Sequence, residues 1–411
     1  MSAQIASKTG IRLGLAANWR QFALLVVVNA FVGAMIGQER AVLPLIAERE
    51  FGLAAATAAT SFIVSFGLTK AVLNLAAGHL ADRLGRRRVL LIGWLVGLPV
   101  PVIIALAPDW WWIVAANVLL GVNQGLAWSM TLSMKVDLVG PERRGLALGL
   151  NESAGYLAVG LAAWGSSVLA ATYGPRPIPF LIGLVAAILG LAISALLIRE
   201  TMGHVRVESA GRAPRPFGEV FRLATWRDRR LAACSQAGLV NNANDALAWG
   251  ILPLFFASRG MSLGQIGILV AVGPIVWGLS QLATGALSDR IGRKGLITTG
   301  LLVQAAAIAG IALGDGFSAW FWCGAAYGLG TGMVYPTLLA AVGDVAHASW
   351  RASALGVYRF WRDGGFVAGA VVAGVAADLA GVSAAVVLVA TITALSALIF
   401  DRLYVTGRTD V

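Results

Sequence analysis

The sequence predicts an all-α membrane protein whose twelve transmembrane helices form two pseudo-symmetric six-helix bundles. Hydrophobic residues make up 58% of the 411-residue chain and charged residues only 12%, too little polar surface to wet a soluble globule of this size. Long apolar stretches recur from end to end, and a helix needs about 20 such residues to cross a hydrocarbon core of about 30 Å. The third observation is a repeat: GHLADRLGRRRVL, beginning at Gly78, returns as GALSDRIGRKGLI at Gly285, 207 residues later.

In chain order, the first 20 residues hold Lys8, Arg12 and Arg20 but no short apolar core followed by a small-residue cleavage site. No removable signal peptide is expected, and the first helix does the targeting itself. Apolar runs then place helices at 21–46, 57–79, 89–107, 111–135, 145–170 and 178–198. A stretch rich in Pro, Arg and Gly over 199–230 reads as a cytoplasmic linker. Six more helices follow at 231–256, 264–286, 295–313, 318–342, 352–376 and 381–401. The period-two alternation of a membrane β-barrel is absent, so the spans are helical. The organisation is therefore a first bundle over 1–198, the linker, and a second bundle over 231–411. Cys234 and Cys323 both fall within spans and read as small packing residues rather than a disulfide or metal pair.

A net charge of +11 could suggest nucleic acid, but its distribution excludes that partner. Of 31 basic residues, twenty-three lie in the N-terminus, the even-numbered loops, the linker and the C-terminus, against three (Arg49, Arg176, Arg259) in odd loops. That asymmetry is the positive-inside bias. It places both termini in the cytoplasm of a multi-pass protein of the cytoplasmic (inner) membrane.

The 207-residue interval also relates Trp19-Arg20 to Trp226-Arg227, Gly121 to Gly328, Gly125 to Gly332, Asp137 to Asp344, Arg144 to Arg351 and Gly149 to Gly356. A duplicated six-helix unit of this kind places its binding site between the halves, near the bilayer midplane. The residues Gly78, Leu80, Ala81, Asp82, Arg83, Gly85, Arg86 and Arg87, between helices 2 and 3, resemble the loop signature of the major facilitator superfamily. A weaker copy stands at Gly285, Asp289, Arg290, Gly292, Arg293 and Lys294, and the resemblance spans nearly the whole chain. It implies that this loop holds the cytoplasmic side shut against the opposite half. Gly78, Asp82, Arg83, Gly85, Arg86, Asp289, Arg290, Arg293 and Arg351 then serve gating, with Asp82 facing the start of helix 11 near Arg351. The plainer reading of Arg86, Arg87 and Arg88 is that they anchor the topology at lipid phosphates. Drug exporters of the resembled family carry an arginine within helix 4 and a Gly-Pro run in helix 5; here Asn117 and GLNESAGYLAVG stand instead.

An ionised side chain at mid-membrane costs about 2.5–3.5 kcal/mol on insertion scales, so those present call for a reason. Glu39 and Arg40 lie late in helix 1, Lys70 in helix 2, Glu152 in helix 5, Asp245 in helix 7, and Arg359, Arg362 and Asp363 in helix 11. Lys135, at the end of helix 4, is expected to snorkel to the surface. Lys70 lies twelve residues before Asp82 and Asp363 twelve after Arg351, each about 18 Å deep at a rise of about 1.5 Å per residue. With helices 2 and 11 adjacent, as the resemblance implies, Lys70 and Asp363 form a candidate ion pair. Arg359, Arg362 and Asp363 share one helix face, and two arginines pointing together can grip a carboxylate, phosphate or sulfonate. The alternative is that the charges are static glue.

Asp245 sits among Asn241, Asn242 and Asn244, a polar run expected to line a water-filled cavity. Asn241, Asn244, Gln124, Trp128 and Tyr335 join Arg359 and Arg362 as candidate substrate contacts. Asp245, Glu39 and Glu152 are the candidate proton carriers. The repeat also puts Glu152 and Arg359 at equivalent positions.

The expectation is a monomeric secondary active transporter, coupled to protons, that moves a small polar, anionic or zwitterionic solute by alternating access. Its rivals are a proton-coupled multidrug efflux pump and a membrane sensor that moves nothing. No enzyme is expected: H-E-x-x-H, G-x-S-x-G and P-loop motifs are absent, and His79, His204 and His347 form no metal constellation, so neither cofactor nor metal is implied.

Overall fold

Twelve membrane helices account for most of the chain in the computed structural model, which describes residues 14–139, 144–204, 215–346 and 350–405. The first half comprises α1 (Leu15–Arg40), α2 (Ser61–Leu84), α3 (Arg86–Gly97, prolonged by Val100–Leu106), α4 (Trp110–Asn123, prolonged by Ser129–Val139), α5 (Arg144–Tyr173) and α6 (Leu181–Leu196). The second comprises α7 (Arg229–Gly250), α8 (Leu263–Ile291), α9 (Arg293–Leu313), α10 (Phe317–Val345), α11 (Arg351–Ala380) and α12 (Val382–Leu403). Eleven spans are long and apolar enough to cross a bilayer on composition alone. The missing one is α7, whose hydropathy is lowered by Asn241, Asn242, Asn244 and Asp245. Those polar groups are buried among other helices rather than set against lipid. Lipid is met instead by a coat of exposed Leu and Trp, among them Leu95, Trp111, Leu196, Leu313 and Leu379.

Local chemistry sets several helix ends. The Asp109 carboxylate accepts the Trp111 N–H at 2.9 Å at the start of α4, Asp228 accepts those of Arg230 and Leu231 at 2.9 and 3.0 Å before α7, and Ser262 and Gln265 form a reciprocal capping box before α8. The turns from α2 to α3 and from α8 to α9 are made by Gly85 at φ 92° and Gly292 at φ 89°, a left-handed backbone that suits glycine. They lie one repeat apart. In both halves the first helix breaks at a matching level: α1 gives way to Leu43–Arg49 and α7 to Leu252–Ser258, each with proline in the first turn of the follow-on piece. Inside α4 the residues Gln124–Trp128 form a widened π-type turn, a device that re-aims side chains and recurs at functional sites.

The two halves touch along α2 with α11 and α5 with α8. On the side away from the linker this contact is tight. A side chain added at Gly67 would lie 2.6 Å from Phe366 Cβ, one at Gly160 would lie 2.9 Å from the Ala271 carbonyl, and one at Gly374 would lie 3.1 Å from Thr57. Phe62, Phe66, Trp249 and Phe366 interlock edge to face there, with ring centroids 5.1–6.0 Å apart. Asp378 of α11 accepts the Ala56 N–H at 2.6 Å, the Thr57 N–H at 3.1 Å and the Thr57 hydroxyl at 2.6 Å, capping the chain as it enters α2. Toward the linker the same four helices part: Gly78 of α2, Gly149 of α5, Gly285 of α8 and Gly356 of α11 face open space with no atom within 4 Å of an added side chain. The molecule is closed on the far side and open on the linker side.

Candidate functional site

Between the halves, at the point where they begin to part, lies a cavity of about 280 Å³ lined by Lys70, Trp128, Tyr156, Tyr335, Arg359, Arg362 and Asp363, with Asn74 and Ser129. The residues in its wall and those directly behind it, Trp277 and Glu152, follow the repeat. Lys70 is equivalent to Trp277, Trp128 to Tyr335, Tyr156 to Asp363 and Glu152 to Arg359, each pair separated by 207 residues. The duplication conserved position and diversified chemistry. Aromatic rings hold the frame: Tyr156 stacks on Trp277 with centroids 3.4 Å apart, and Tyr335 meets Trp277 edge-on at 5.8 Å.

Lys70 Nζ lies 3.6 Å from Asp363 Oδ1, across the two halves. Asn74 donates to the other oxygen of Asp363, and Arg362 donates to Oδ1 at 3.0 Å. Arg362 also donates to the Tyr156 hydroxyl at 2.9 Å and sits 3.9 Å over the Tyr335 ring. Lys70 rests 5.4–5.6 Å from the rings of Phe66, Trp128 and Phe366. Arg359 stands apart from this network: it lines the cavity, is only partly buried, and has no hydrogen-bond or ion-pair partner among the described residues.

Several side chains stand elsewhere than the sequence suggested. Asn241 and Asn244, expected at the cavity, turn away from it. Asn241 Oδ1 accepts from Gln304 at 3.0 Å, and Asn244 donates to Gln304 at 3.0 Å and accepts from Thr393 at 2.8 Å, so they tie α7 to α9 and α12. Asn242, not singled out for substrate, is the asparagine of this run that donates to Asp363, at 3.4 Å. Gln124 donates to the Val32 carbonyl at 2.9 Å and to Asn123 at 3.0 Å, bracing α4 on α1. Lys135 does not snorkel; it is fully buried and donates to the Leu25 carbonyl at 3.0 Å.

The three candidate proton carriers differ sharply. Asp245 is held by Arg40 in a bidentate pair with both contacts at 2.6 Å, joining α7 to α1 across the halves, and Arg40 lies 5.2 Å over the Trp249 ring. The pair stands at the edge of a second hollow of about 480 Å³, lined chiefly by apolar and aromatic side chains of the second half. Glu39 is fully buried beside Asn117 and outside both hollows. Glu152 accepts the Trp128 indole N–H and the Asn151 amide, both at 3.0 Å.

The loop residues are spread out on the open side. Asp82, Arg83 and Arg290 are exposed, and Asp82 has no partner among the described residues. Arg351 donates to the Ala346 carbonyl at 3.1 Å, within its own half. Arg86 pairs with Asp137 at 2.7 Å and Arg293 with Asp344 at 2.9 Å, the same brace in each half. Gly78 and Gly85 sit at the end of α2 and its turn. Asp289 falls within α8, but its side chain lies outside the described residues. The Asp82-to-Arg351 latch is thus not made in this state, in which the helices that would bring the two together have parted.

Arg40 as the partner of Asp245 escaped the reading of the sequence, although the repeat interval puts residue 247 opposite residue 40. Glu200, which accepts the N–H groups of Arg86 and Arg87 at 3.1 Å each and so caps α3, has no comparable signal.

The family model described as Major Facilitator Superfamily matches residues 21–370 and 234–410. A probable 4-methylmuconolactone transporter of Cupriavidus pinatubonensis (strain JMP 134 / LMG 1197) is 26% identical over 221 residues, 53% of this chain and 51% of the relative. The quinolone resistance protein NorA of Staphylococcus aureus (strain MRSA252) is 27% identical over 133 residues, 31% of this chain and 33% of that protein. The chain thus spans about half the length of the first curated relative and a third of the second. Among solved structures, the nucleoside transporter NupG superposes with a TM-score of 0.73 at 14% identity, covering 93% of this chain and 99% of NupG. The human organic anion transporter MFSD10 (TETRAN) superposes with a TM-score of 0.67 at 17% identity, covering 93% and 99%. At these identities both structures speak for the fold alone.

Proposed function

The chain belongs to the Major Facilitator Superfamily, and on that premise we propose that it is a secondary active transporter moving a small anionic or zwitterionic solute, driven by a proton gradient. The observation that carries the reading is the uneven pairing of the two cavity arginines. Arg362 is already held by Asp363 and Tyr156, whereas Arg359 meets the cavity with its charge unpaired. An unpaired guanidinium beside aromatic rings suits a carboxylate or phosphate on a compact, partly apolar body. On this reading the protein lies in the cytoplasmic membrane as a monomer with the linker side and both termini in the cytoplasm. The open side then faces inward. Outward opening must separate Arg40 from Asp245 and release the Asp378 cap, while inward closure brings the Asp82 loop toward Arg351. Asp245, Glu39 and Glu152 are the carboxylates available to couple protons.

The test is uptake into proteoliposomes under an imposed pH gradient, with 4-methylmuconolactone, a nucleoside and a fluoroquinolone as probes. Concentrative, gradient-dependent accumulation of 4-methylmuconolactone, which carries a carboxylate on a compact ring, is expected, and Arg359→Ala should abolish it. A second reading, efflux of amphipathic drugs, is favoured by the aromatic wall of Trp128, Tyr156, Trp277 and Tyr335. It prevails if only the fluoroquinolone moves and Arg359→Ala leaves its flux intact. Saturable binding of a probe without time-dependent accumulation would instead favour a sensor.

A further inference from the structure

Of the membrane-embedded carboxylates, Asp245 is engaged on both oxygens by Arg40. Asp363 is engaged on both by Arg362 and Asn74. Glu39, with both oxygens buried and without a hydrogen-bond partner among the described residues, touches neither hollow and bonds to no residue that lines one. Glu152 also stands outside both hollows but is hydrogen-bonded to Trp128, which lines the first. Its Oε1 accepts from Trp128 and Asn151, while its Oε2 is buried without any hydrogen-bond partner among the described residues. An ionised oxygen left in that condition is costly, and the cost vanishes when a proton occupies it. The neighbouring Asn151 Oδ1 is also buried without a donor.

Trp128 separates this carboxylate from the cavity. Its ring lines the cavity, its indole N–H is committed to Glu152, and it stands at the end of the widened turn Gln124–Trp128, where the helix is least constrained by regular hydrogen bonding. We propose that Glu152 is the proton-binding site, and that Trp128 is the positioning residue through which a solute in the cavity and a proton on Glu152 sense each other. The proposal rests on the proton-coupled reading above. A solute stacking on the indole pins it or turns it. Turning breaks the bond to Oε1 and lets cavity water reach the carboxylate. A hydronium ion in that water then gives its proton to Oε2, one of its O–H bonds breaking to leave water as the new O–H bond forms, and Glu152 passes from charge −1 to neutral; on the opposite side the proton returns to water and the step is reversed.

The charged and titratable groups acting on Glu152 are Lys135 from α4, Lys70 from α2, Tyr335 from α10, and Tyr156 on α5 itself. From α1 comes neutral Asn29, which donates to the Asn151 carbonyl at 2.6 Å. The segments of α6 and α8 packed on α5 contribute no charged side chain at that depth. Neutralising Glu152 therefore leaves Lys135 and Lys70 without its opposing charge, an electrostatic change felt on both sides of Trp128. In the second half the equivalent wall carries Tyr335 and Arg359, a fixed cation that the proton does not alter.

Infrared difference spectroscopy of the full chain in lipid nanodiscs, recorded between alkaline and acidic buffer with no solute present, reads the site directly. The expected result is a carboxylic C=O band that Glu152→Gln removes, Glu152→Asp retains, and Trp128→Phe moves to higher wavenumber because one hydrogen bond is lost. A wild-type band that Glu152→Gln leaves unchanged overturns the proton site, and one that Trp128→Phe leaves in place overturns the link. Proteoliposomes supply the second measurement, with 4-methylmuconolactone as probe. Trp128→Phe should lower the ratio of gradient-driven accumulation to the variant's own equilibrium exchange by about tenfold or more, the size of one hydrogen bond to a charged group. If the wild type ignores the pH gradient, the coupled reading itself fails. If the wild type is coupled and Trp128→Phe stays equally coupled, only this inference fails.

Discussion

The two ends of the seam between the halves are built from different materials. On the far side, glycines let backbones approach, four aromatic rings interlock, and the charge pair that crosses the seam among the described residues, Arg40 with Asp245, is buried with both partners bidentate. On the linker side the charges are more numerous, and Arg86 with Asp137 and Arg293 with Asp344 pair within their own halves. The far seam can open only by wetting a buried ion pair and unpacking aromatic contacts. The linker seam can close by bringing together groups already in water. On the alternating-access reading proposed above, the two ends must be close in free energy, one held by packing and the other closing through electrostatic contacts.

The sharpest way to break this comparison is to remove one partner of the buried pair. Asp245→Ala leaves Arg40 charged and enclosed, and should cost ~3–5 kcal/mol, read as a large drop in the melting temperature of the purified protein. The double change Arg40→Met with Asp245→Leu should recover most of that loss. If Asp245→Ala melts like the wild type, the far seam is not held by this pair.

The glycine contrast comes next. Gly67→Leu forces a side chain against Phe366 and should destabilise this state by about 1–3 kcal/mol, the usual cost of overpacking. Gly78→Leu, on the same helix but facing open space, should melt at or above the wild-type temperature. Equal effects at the two positions would mean that the halves do not part as described. A smaller effect is expected from Asp378→Asn, which weakens the cap on the chain entering α2 by about 1 kcal/mol and should raise labelling of a cysteine introduced by Ile63→Cys, at a buried far-side position, in a Cys234→Ser, Cys323→Ser background. The smallest should come from Arg293→Gln. Asp344 is more than half exposed, and exposed pairs contribute about 0–1 kcal/mol, so melting should scarcely change. A loss as large as that of Asp245→Ala would show that the linker side is held as rigidly as the far side.

Much of the site was legible in one dimension. Equal depth below two anchors, read from helix rise, together with the adjacency of helices 2 and 11 that the family resemblance implies, nominated Lys70 and Asp363, which stand 3.6 Å apart. The i, i+3, i+4 spacing put Arg359, Arg362 and Asp363 on one face, and all three line the cavity. Where the reading missed, it missed on rotation about a helix axis. Asn241 and Asn244 lie in the same polar run as Asn242 and Asp245, yet each residue turns about 100° from the last, and only packing decides which of the four meet the other half. Lys135 was misjudged for a related reason: sequence position put it near a helix end, but α1 covers that end and supplies the Leu25 carbonyl.

By itself the sequence determined that this is a membrane protein of helices, where most of those helices begin and end, that one half repeats the other, and which residues bring charge into the bilayer. All of these are consequences of local quantities: apolar length, turn chemistry, and the cost of placing a charge in hydrocarbon. Only the tertiary structure decided that Asp245 belongs to Arg40, that Glu152 stands behind Trp128 with one oxygen unengaged, and that the halves meet on one side and part on the other. Those outcomes depend on which faces separate helices present to one another, 205 residues apart in the chain for Arg40 and Asp245 and 24 for Trp128 and Glu152, and a pairing energy between helices has no trace in the spacing of residues along a single one.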